Sequence, residues 1–295
     1  MSKIALLVTF LLSASIANAL TIGLLGDAGK KNESTQQVLR SMLQAEIKNV
    51  ALLGDNLYDL NLSYKDVWED WFTQGIQFPV VAIGNHNISY QAERDYFHMP
   101  DEFYSKTIED VRFIVLNSDN QNNVLVQRDF FMKEMAQARK LKNTPGAPTF
   151  TFVIFHHPPA TLSARHNWTE KKAFHDALRP LLLEYRDVID GIFVGHDHMA
   201  AFYRFADLPL VVSGAAFEFF PANQVQSDVV PGVAIKSLWT YKPKAHWARL
   251  ETFPDKHEAY VHFISIDGKD GKDSKVVCSV LLKSRQIALQ ANCQQ

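Results

Sequence analysis

The sequence predicts an α/β fold, and three observations predict it. Short apolar runs alternate with amphipathic helical patterns as far as Val194. Five of those runs stop at a small or polar residue beside a side chain able to bind metal. Past Phe205 the spacing tightens into closely successive strand-like runs. With 47% hydrophobic and 21% charged residues among 295, the composition excludes disordered, collagen-like and coiled-coil chains.

Met1 to Ala19 reads as a secretory signal peptide, with Lys3 as the positive n-region, Ile4 to Leu12 as the apolar h-region and Ala17-Asn18-Ala19 as the cleavage site. The apolar stretch is shorter than the ~20 residues that span a bilayer, so no stable membrane anchor is expected. The mature protein is expected to begin near Leu20, to be secreted or periplasmic, and to form one domain over residues 20–295.

Leu20–Leu25 is the first predicted strand and runs into Gly26-Asp27-Ala28-Gly29. Val38, Leu39, Met42, Leu43 and Ile47 then share one helix face. Val50–Leu53 ends in Gly54-Asp55-Asn56, and Val80–Ile83 ends in Gly84-Asn85-His86. Thr149–Phe155 ends in His156-His157-Pro158, and Ile189–Val194 ends in Gly195-His196-Asp197-His198. Helical patterns over Val124–Leu141 and Lys171–Tyr185, the second expected to break at Pro180, supply outer layers. Leu210–Ser213, Ala234–Tyr241, His257–Ile266 and Lys275–Leu282 complete the strands. Ligand sites in α/β sheets form outside the carboxyl ends of strands, so the five strand ends predict one site.

Eleven histidines against two cysteines exclude a zinc–thiolate scaffold and leave room for an imidazole–carboxylate metal site. A formal net charge of -2 carries no basic excess, so no nucleic-acid partner is expected. Cys278 and Cys293 form a predicted pair in an oxidising compartment, and closing a loop of that length contributes roughly 3 kcal/mol.

Taken in order, Gly-Asp-Ala-Gly at Asp27, Gly-Asp-Asn-Leu-Tyr-Asp at Asp55, Gly-Asn-His at Asn85, Val-Ile-Phe-His-His-Pro at His156 and Gly-His-Asp-His at His196 form a series that resembles the calcineurin-like metallophosphoesterases. Tyr58, three positions after Asp55, and the stretch from Leu178 to His198 make the resemblance closest to the purple (tartrate-resistant) acid phosphatases. It implies two mixed β-sheets packed as a sandwich flanked by helices, a four-layer αββα fold. It also implies two metal ions. Asp27, Asp55, Tyr58 and His198 would hold one; Asp55, Asn85, His156 and His196 would hold the other, with Asp55 bridging. In that family the pair is Fe(III) with a divalent ion, Fe(II), Zn(II) or Mn(II). The donor types agree, since carboxylate and phenolate suit Fe(III) while imidazole and amide suit a divalent ion.

The resemblance further implies an acid phosphatase acting on small-molecule phosphate monoesters by direct attack of a metal-bound hydroxide on phosphorus. His86 would protonate the leaving group, and His166 is a second candidate acid. Substrate contacts are expected from Asn85 and His86, and from the rim aromatics Trp168 and Phe217. By strand alternation His157 points away from the site, and His98, His175, His246, His257 and His262 read as ordinary surface or strand residues. Where the family often carries a carboxylate after Gly-Asn-His, this chain has Asn87, expected to orient His86 and to shift the optimum toward acid. Glycans at the sequons of Asn87 or Asn167 would crowd the site, which favours a bacterial source. Two other readings stay open: a phosphodiesterase or nucleotide pyrophosphatase on the same scaffold, and a catalytically silent, metal-stabilised binding module.

Overall fold

The computed structural model describes residues 19–214, 216–217, 230, 233–241, 245–267, 273–283 and 290–293; the predicted signal segment up to Asn18 lies outside them. Two seven-stranded mixed sheets form the core. The first is built from β1 (Thr21–Leu25), β2 (Asn49–Leu53), β3 (Gln77–Ala82), β11 (His246–Phe253), β12 (Glu258–Ile266), β13 (Ser274–Lys283) and β14 (Gln290–Cys293), in the order β14-β13-β12-β11-β1-β2-β3. The second contains β4 (Tyr104–Ile108), β5 (Val111–Val115), β6 (Phe150–Ile154), β7 (Gly191–Val194), β8 (Ala200–Phe205), β9 (Leu208–Ser213) and β10 (Ile235–Thr240), in the order β10-β8-β9-β7-β6-β5-β4. Each sheet holds a parallel block: β1-β2-β3 at one edge of the first, with antiparallel strands on its β1 side, and β5-β6-β7-β9 in the second, with antiparallel strands on both sides.

Alternation along the strands builds the layers. Phe152, Ile154, Phe193 and Val211 of the second sheet join Leu24, Ala51 and Leu250 of the first in one apolar cluster between the sheets. Their neighbours Val153, Ile192 and Val212 turn the other way, against α4 (Val124–Leu141) and α5 (Lys172–Glu184). α1 (Glu33–Gln44), α2 (Tyr64–Thr73) and α3 (Tyr90–Phe97) complete the first cluster through Val38, Met42, Trp68, Trp71 and Phe97. This is the αββα sandwich that the resemblance implies.

α5 runs through Pro180 without the expected break. A proline in a helix interior costs about 3 kcal/mol, and buried Leu178, Leu181 and Leu182 supply the packing that offsets it. Cys278 and Cys293 face each other across β13 and β14 and form a disulfide. Among the described residues no helix is long and apolar enough to cross a membrane.

The sheets meet at the carboxyl ends of their parallel strands. The Gly26 amide, just past β1, donates to the Ser213 carbonyl at the end of β9 at 2.8 Å, and Asp27 N–H donates to Gly54 C=O at 3.0 Å. The five motif loops are thereby drawn to one end of the sandwich.

Candidate metal centre

The loop backbones are bent to deliver side chains. Asp27, Asp55, His196 and His198 all adopt left-handed φ values, at 56°, 57°, 69° and 45°. That region costs an L-residue roughly 1–2 kcal/mol, and such outliers cluster at functional sites. Two glycines make room for them. A Cβ on Gly84 would lie 2.2 Å from Asp55 Oδ1, and one on Gly54, itself at φ 97°, would lie 2.4 Å from His156 Nδ1. Backbone amides then fix the carboxylates: His196 N–H donates to Asp27 Oδ2 at 2.8 Å, and His86 N–H donates to Asp55 Oδ1 at 2.9 Å.

Around Tyr58 the acceptor atoms are too many for one hydroxyl hydrogen to satisfy. Its hydroxyl lies 3.0 Å from Asp27 Oδ1, 2.9 Å from Asp55 Oδ2 and 3.0 Å from His198 Nε2. His198 Nε2 is 3.3 Å from Asp27 Oδ1. A phenol has one hydrogen, so it cannot donate to both carboxylates. Donors spaced about 3 Å apart match the edges of an octahedron with ~2.1 Å metal–ligand bonds. Burial, then the charges of Asp27 and Asp55, push the phenol well above its usual range. Ionising it here requires a cation among these oxygens. Asp55 is opposite in sense: burial alone would raise it, but the His156 charge and hydrogen bond, with help from His86, hold it well below the usual carboxylate range.

The imidazoles show the complementary arrangement. His156 Nδ1 lies 2.8 Å from the Leu53 carbonyl, which only accepts, so Nδ1 carries the hydrogen. In the neutral ring its fully buried Nε2 then points a lone pair at Asp55 Oδ1, 3.1 Å away. Only a positive species between the two makes that contact favourable. Without a metal the proton fills this role: burial would lower His156, but Asp55 outweighs it and raises it to about 9. His196 directs Nε2 at Glu170 Oε2, 2.9 Å away, which leaves Nδ1 for a ligand. The residues therefore fit a dinuclear centre, with an oxygen-rich side at Asp27, Asp55, Tyr58 and His198 and an imidazole side at His156 and His196.

Three partners, buried His157 and Ser118 and exposed Glu170, were outside the sequence expectation. His157 points into the centre, with Nε2 3.0 Å from Asn85 Oδ1 and Nδ1 2.8 Å from Ser118 Oγ. This corrects the alternation argument, because β6 ends at Ile154 and alternation lapses in the loop beyond it. Burial, then His156 and His196, drive the His157 ring well below its ordinary value. Ser118 follows β5, and Glu170 belongs to a short 3₁₀ turn (Trp168–Lys171). Burial would raise Glu170, yet hydrogen bonds from His166 and His196 hold it well below the usual range. The spacing of His166 and Glu170, four apart, is the one sequence signal that points to it.

The proposed acids and substrate contacts divide. His86 is exposed and stacks on Tyr58 with ring centroids 4.3 Å apart. His166 approaches His196 to 3.9 Å between centroids and sits 3.3 Å from both Glu170 oxygens. Phe217 packs edgewise on Tyr58 at 4.7 Å and on His198 at 5.6 Å, so the structure brings it to the centre. Trp168 instead is buried beneath α5, under the Arg179 guanidinium at 4.5 Å, in a packing position. Asn87 donates to the Gly84 carbonyl at 2.8 Å, so its amide closes the turn rather than orienting His86. His175, expected on a surface or strand, is a buried residue of α5.

Residues 20–200 match the family model for calcineurin-like phosphoesterases. The chain belongs to this family. A purple acid phosphatase from yellow lupin (Lupinus luteus) seeds superposes with a TM-score of 0.67 at 15% identity, over 90% of this chain and 54% of the lupin chain. GAP50, described as the anchor in the inner membrane complex of Plasmodium, gives a TM-score of 0.65 at 16% identity over 90% and 89% of the two chains. A dimetal phosphatase from Danio rerio gives 0.53 at 12% identity over 90% and 98%. No curated protein sequence matches significantly. At these identities the three structures are alike in fold. The family uses a dinuclear metal site, and this calcineurin-like phosphoesterase carries candidate ligands for one.

Proposed function

We propose that this phosphoesterase is an acid phosphatase of the purple type, hydrolysing phosphate monoesters with a pair of metal ions, Fe(III) and a divalent Fe, Zn or Mn. The observation that carries the reading is Tyr58, a half-buried phenol whose oxygen lies within 3.0 Å of two carboxylates and an imidazole. A hard oxygen set of this kind suits a trivalent ion, whereas phosphoesterase centres without a phenol have no such donor. Bound there, the pair supplies charge for the phosphoryl oxygens and lowers the pKa of water. Asp27, Tyr58 and His198 would hold the first ion, Asn85, His156 and His196 the second, and Asp55 both.

The remaining work falls to side chains of the mouth. His86, exposed and braced on the Tyr58 ring, is positioned to give a proton to the departing alkoxide oxygen. His166, tethered to Glu170, is the second acid. Phe217 forms an apolar wall for the leaving group. The N-terminal motif from Met1 to Ala19 supports a secreted or periplasmic location.

The similarity to GAP50 supports a second reading, a metal-stabilised binding module without catalysis. Turnover of p-nitrophenyl phosphate and of its bis ester separates the possibilities. The monoester is expected to be hydrolysed and the diester much more slowly. Preference for the diester selects the phosphodiesterase, and no turnover of either with both metals bound selects the binding module.

A further inference from the structure

His157 is 2% exposed and Ser118 is fully buried, and every side-chain polar atom of the pair is engaged. His157 N–H donates to Ser118 Oγ at 3.0 Å, and the same oxygen lies 2.8 Å from His157 Nδ1. The far nitrogen, Nε2, lies 3.0 Å from Asn85 Oδ1. The buried Ser118 oxygen accepts the His157 N–H, and its own hydrogen finds its acceptor in Nδ1, so the neutral ring carries its hydrogen on Nε2, as the charged ring does too. Asn85 itself is exposed and carries an almost symmetric amide. Turned one way it offers an oxygen that can bind a metal; turned the other way it offers NH₂, which cannot. With the NH₂ toward His157, two N–H groups would collide.

We propose that His157, fixed by Ser118, is a positioning residue that locks the Asn85 amide with its oxygen turned toward His156 and His196. His157 occupies one lone pair of that oxygen and leaves the other for the divalent ion. The inference rests on the reading of Asn85 as a ligand. Its chemical sense is that an amide is the weakest donor of the set. It has no charge to orient it, so it depends most on an outer hydrogen bond.

The test is calorimetric titration of the chelator-stripped full chain with Mn²⁺ alone. Wild type is expected to show two sites. His157→Phe is expected to weaken one of them by about 10- to 100-fold and to leave the other unchanged. His157→Gln, whose amide can donate to the same oxygen, should recover most of the loss, and Ser118→Ala should show a smaller loss at the same site. In an Asn85→Ala background His157→Phe is expected to change nothing further, whereas a merely structural role would add its loss in either background. Wild-type affinity in His157→Phe overturns the proposal, as does an undiminished loss without Asn85. Failure of His157→Gln to recover binding also overturns it, because His157 is then itself a ligand. If His157→Phe does not fold, the Ser118→Ala and Asn85→Ala cycle decides the matter. A wild-type chain that binds no second Mn²⁺ removes the reading of the centre, and the proposal with it; p-nitrophenyl phosphate turnover on the same samples tells the two failures apart.

Discussion

Asp27 and Asp55 are held by backbone: left-handed turns aim them, and the amides of His196 and His86 donate to their carboxylates. His196 and His157 are held from behind by side chains, Glu170 and Ser118, and His156 by the Leu53 carbonyl. A carboxylate is short, so its place follows from φ and ψ. An imidazole is longer and has two tautomers, so a partner must fix which nitrogen faces the metal. The oxygen side is therefore sensitive to the loop itself, whereas the imidazole side can be adjusted from outside the centre without touching a ligand.

The largest break is expected at the residue both sides share. Asp55→Asn keeps the size of the side chain but removes the charge that His156, His86 and Tyr58 are arranged around. Both ions are expected to be lost together, with monoesterase turnover falling by about 10³-fold or more. Elemental analysis of the purified variant, beside its turnover, checks this. Retention of two ions per chain would show that the two sides do not depend on a common bridge.

Tyr58→Phe isolates the oxygen side. The ring keeps its packing on His86 and Phe217, while the oxygen that contacts Asp27, Asp55 and His198 is gone. Iron content and the visible absorption of an iron–phenolate pair are expected to fall together, and turnover by about 10²-fold. A variant that keeps its iron and its colour would count against the purple type.

Glu170→Gln addresses the imidazole side. The amide oxygen can still accept from His196, but the charge beside His166 and His196 is removed. Divalent-ion affinity is expected to drop by about 10-fold, the lower end for an outer partner, with the iron absorption unchanged. A loss of iron instead would erase the distinction between the sides.

How far these features were legible follows the same division. The ends of β1, β2, β3, β6 and β7 could be read because a buried strand is an apolar run and its turn is small or polar. Helix Val124–Leu141 was legible over its whole length, since its buried residues recur on one face. β4 was not, because only Tyr104 is buried and no alternation survives. Glu170, whose one signal was its spacing from His166, was missed for a different reason. Locally it reads as a cap partner of Asn167, and its contact with His196 lies 26 residues away through the fold. His157 was misread because the period of two was extended beyond the strand. Periodicity reports which face of an element is buried; it does not report where a loop turns a side chain once the ladder has ended.

His175 gives the smallest expected effect on the centre and tests whether the imidazole side extends into the protein behind it. The ring packs on Phe155, directly before His156, and on Phe174. Neither ring nitrogen has a hydrogen-bond partner among the described residues. Burial first, then the Arg179 charge, with His196 and Lys171 adding to it and Asp176 opposing, lowers it from 6.5 to about 3. The unfolded chain therefore takes up a proton below pH 6.5 that the folded chain refuses. The contribution of the neutral ring to stability is complete above pH 6.5 and declines as the pH falls toward 3, by about 2 kcal/mol at pH 5. His175→Phe removes this dependence. Urea unfolding at pH 7 and pH 5 is expected to show the gap between the two conditions narrowing by that amount in the variant, with monoester turnover at pH 7 within about 2-fold of wild type. An unchanged gap would mean that the ring takes up its proton as readily in the folded protein as in the unfolded chain, and a large loss of turnover would mean that the imidazole side reaches one layer deeper than Glu170 and Ser118.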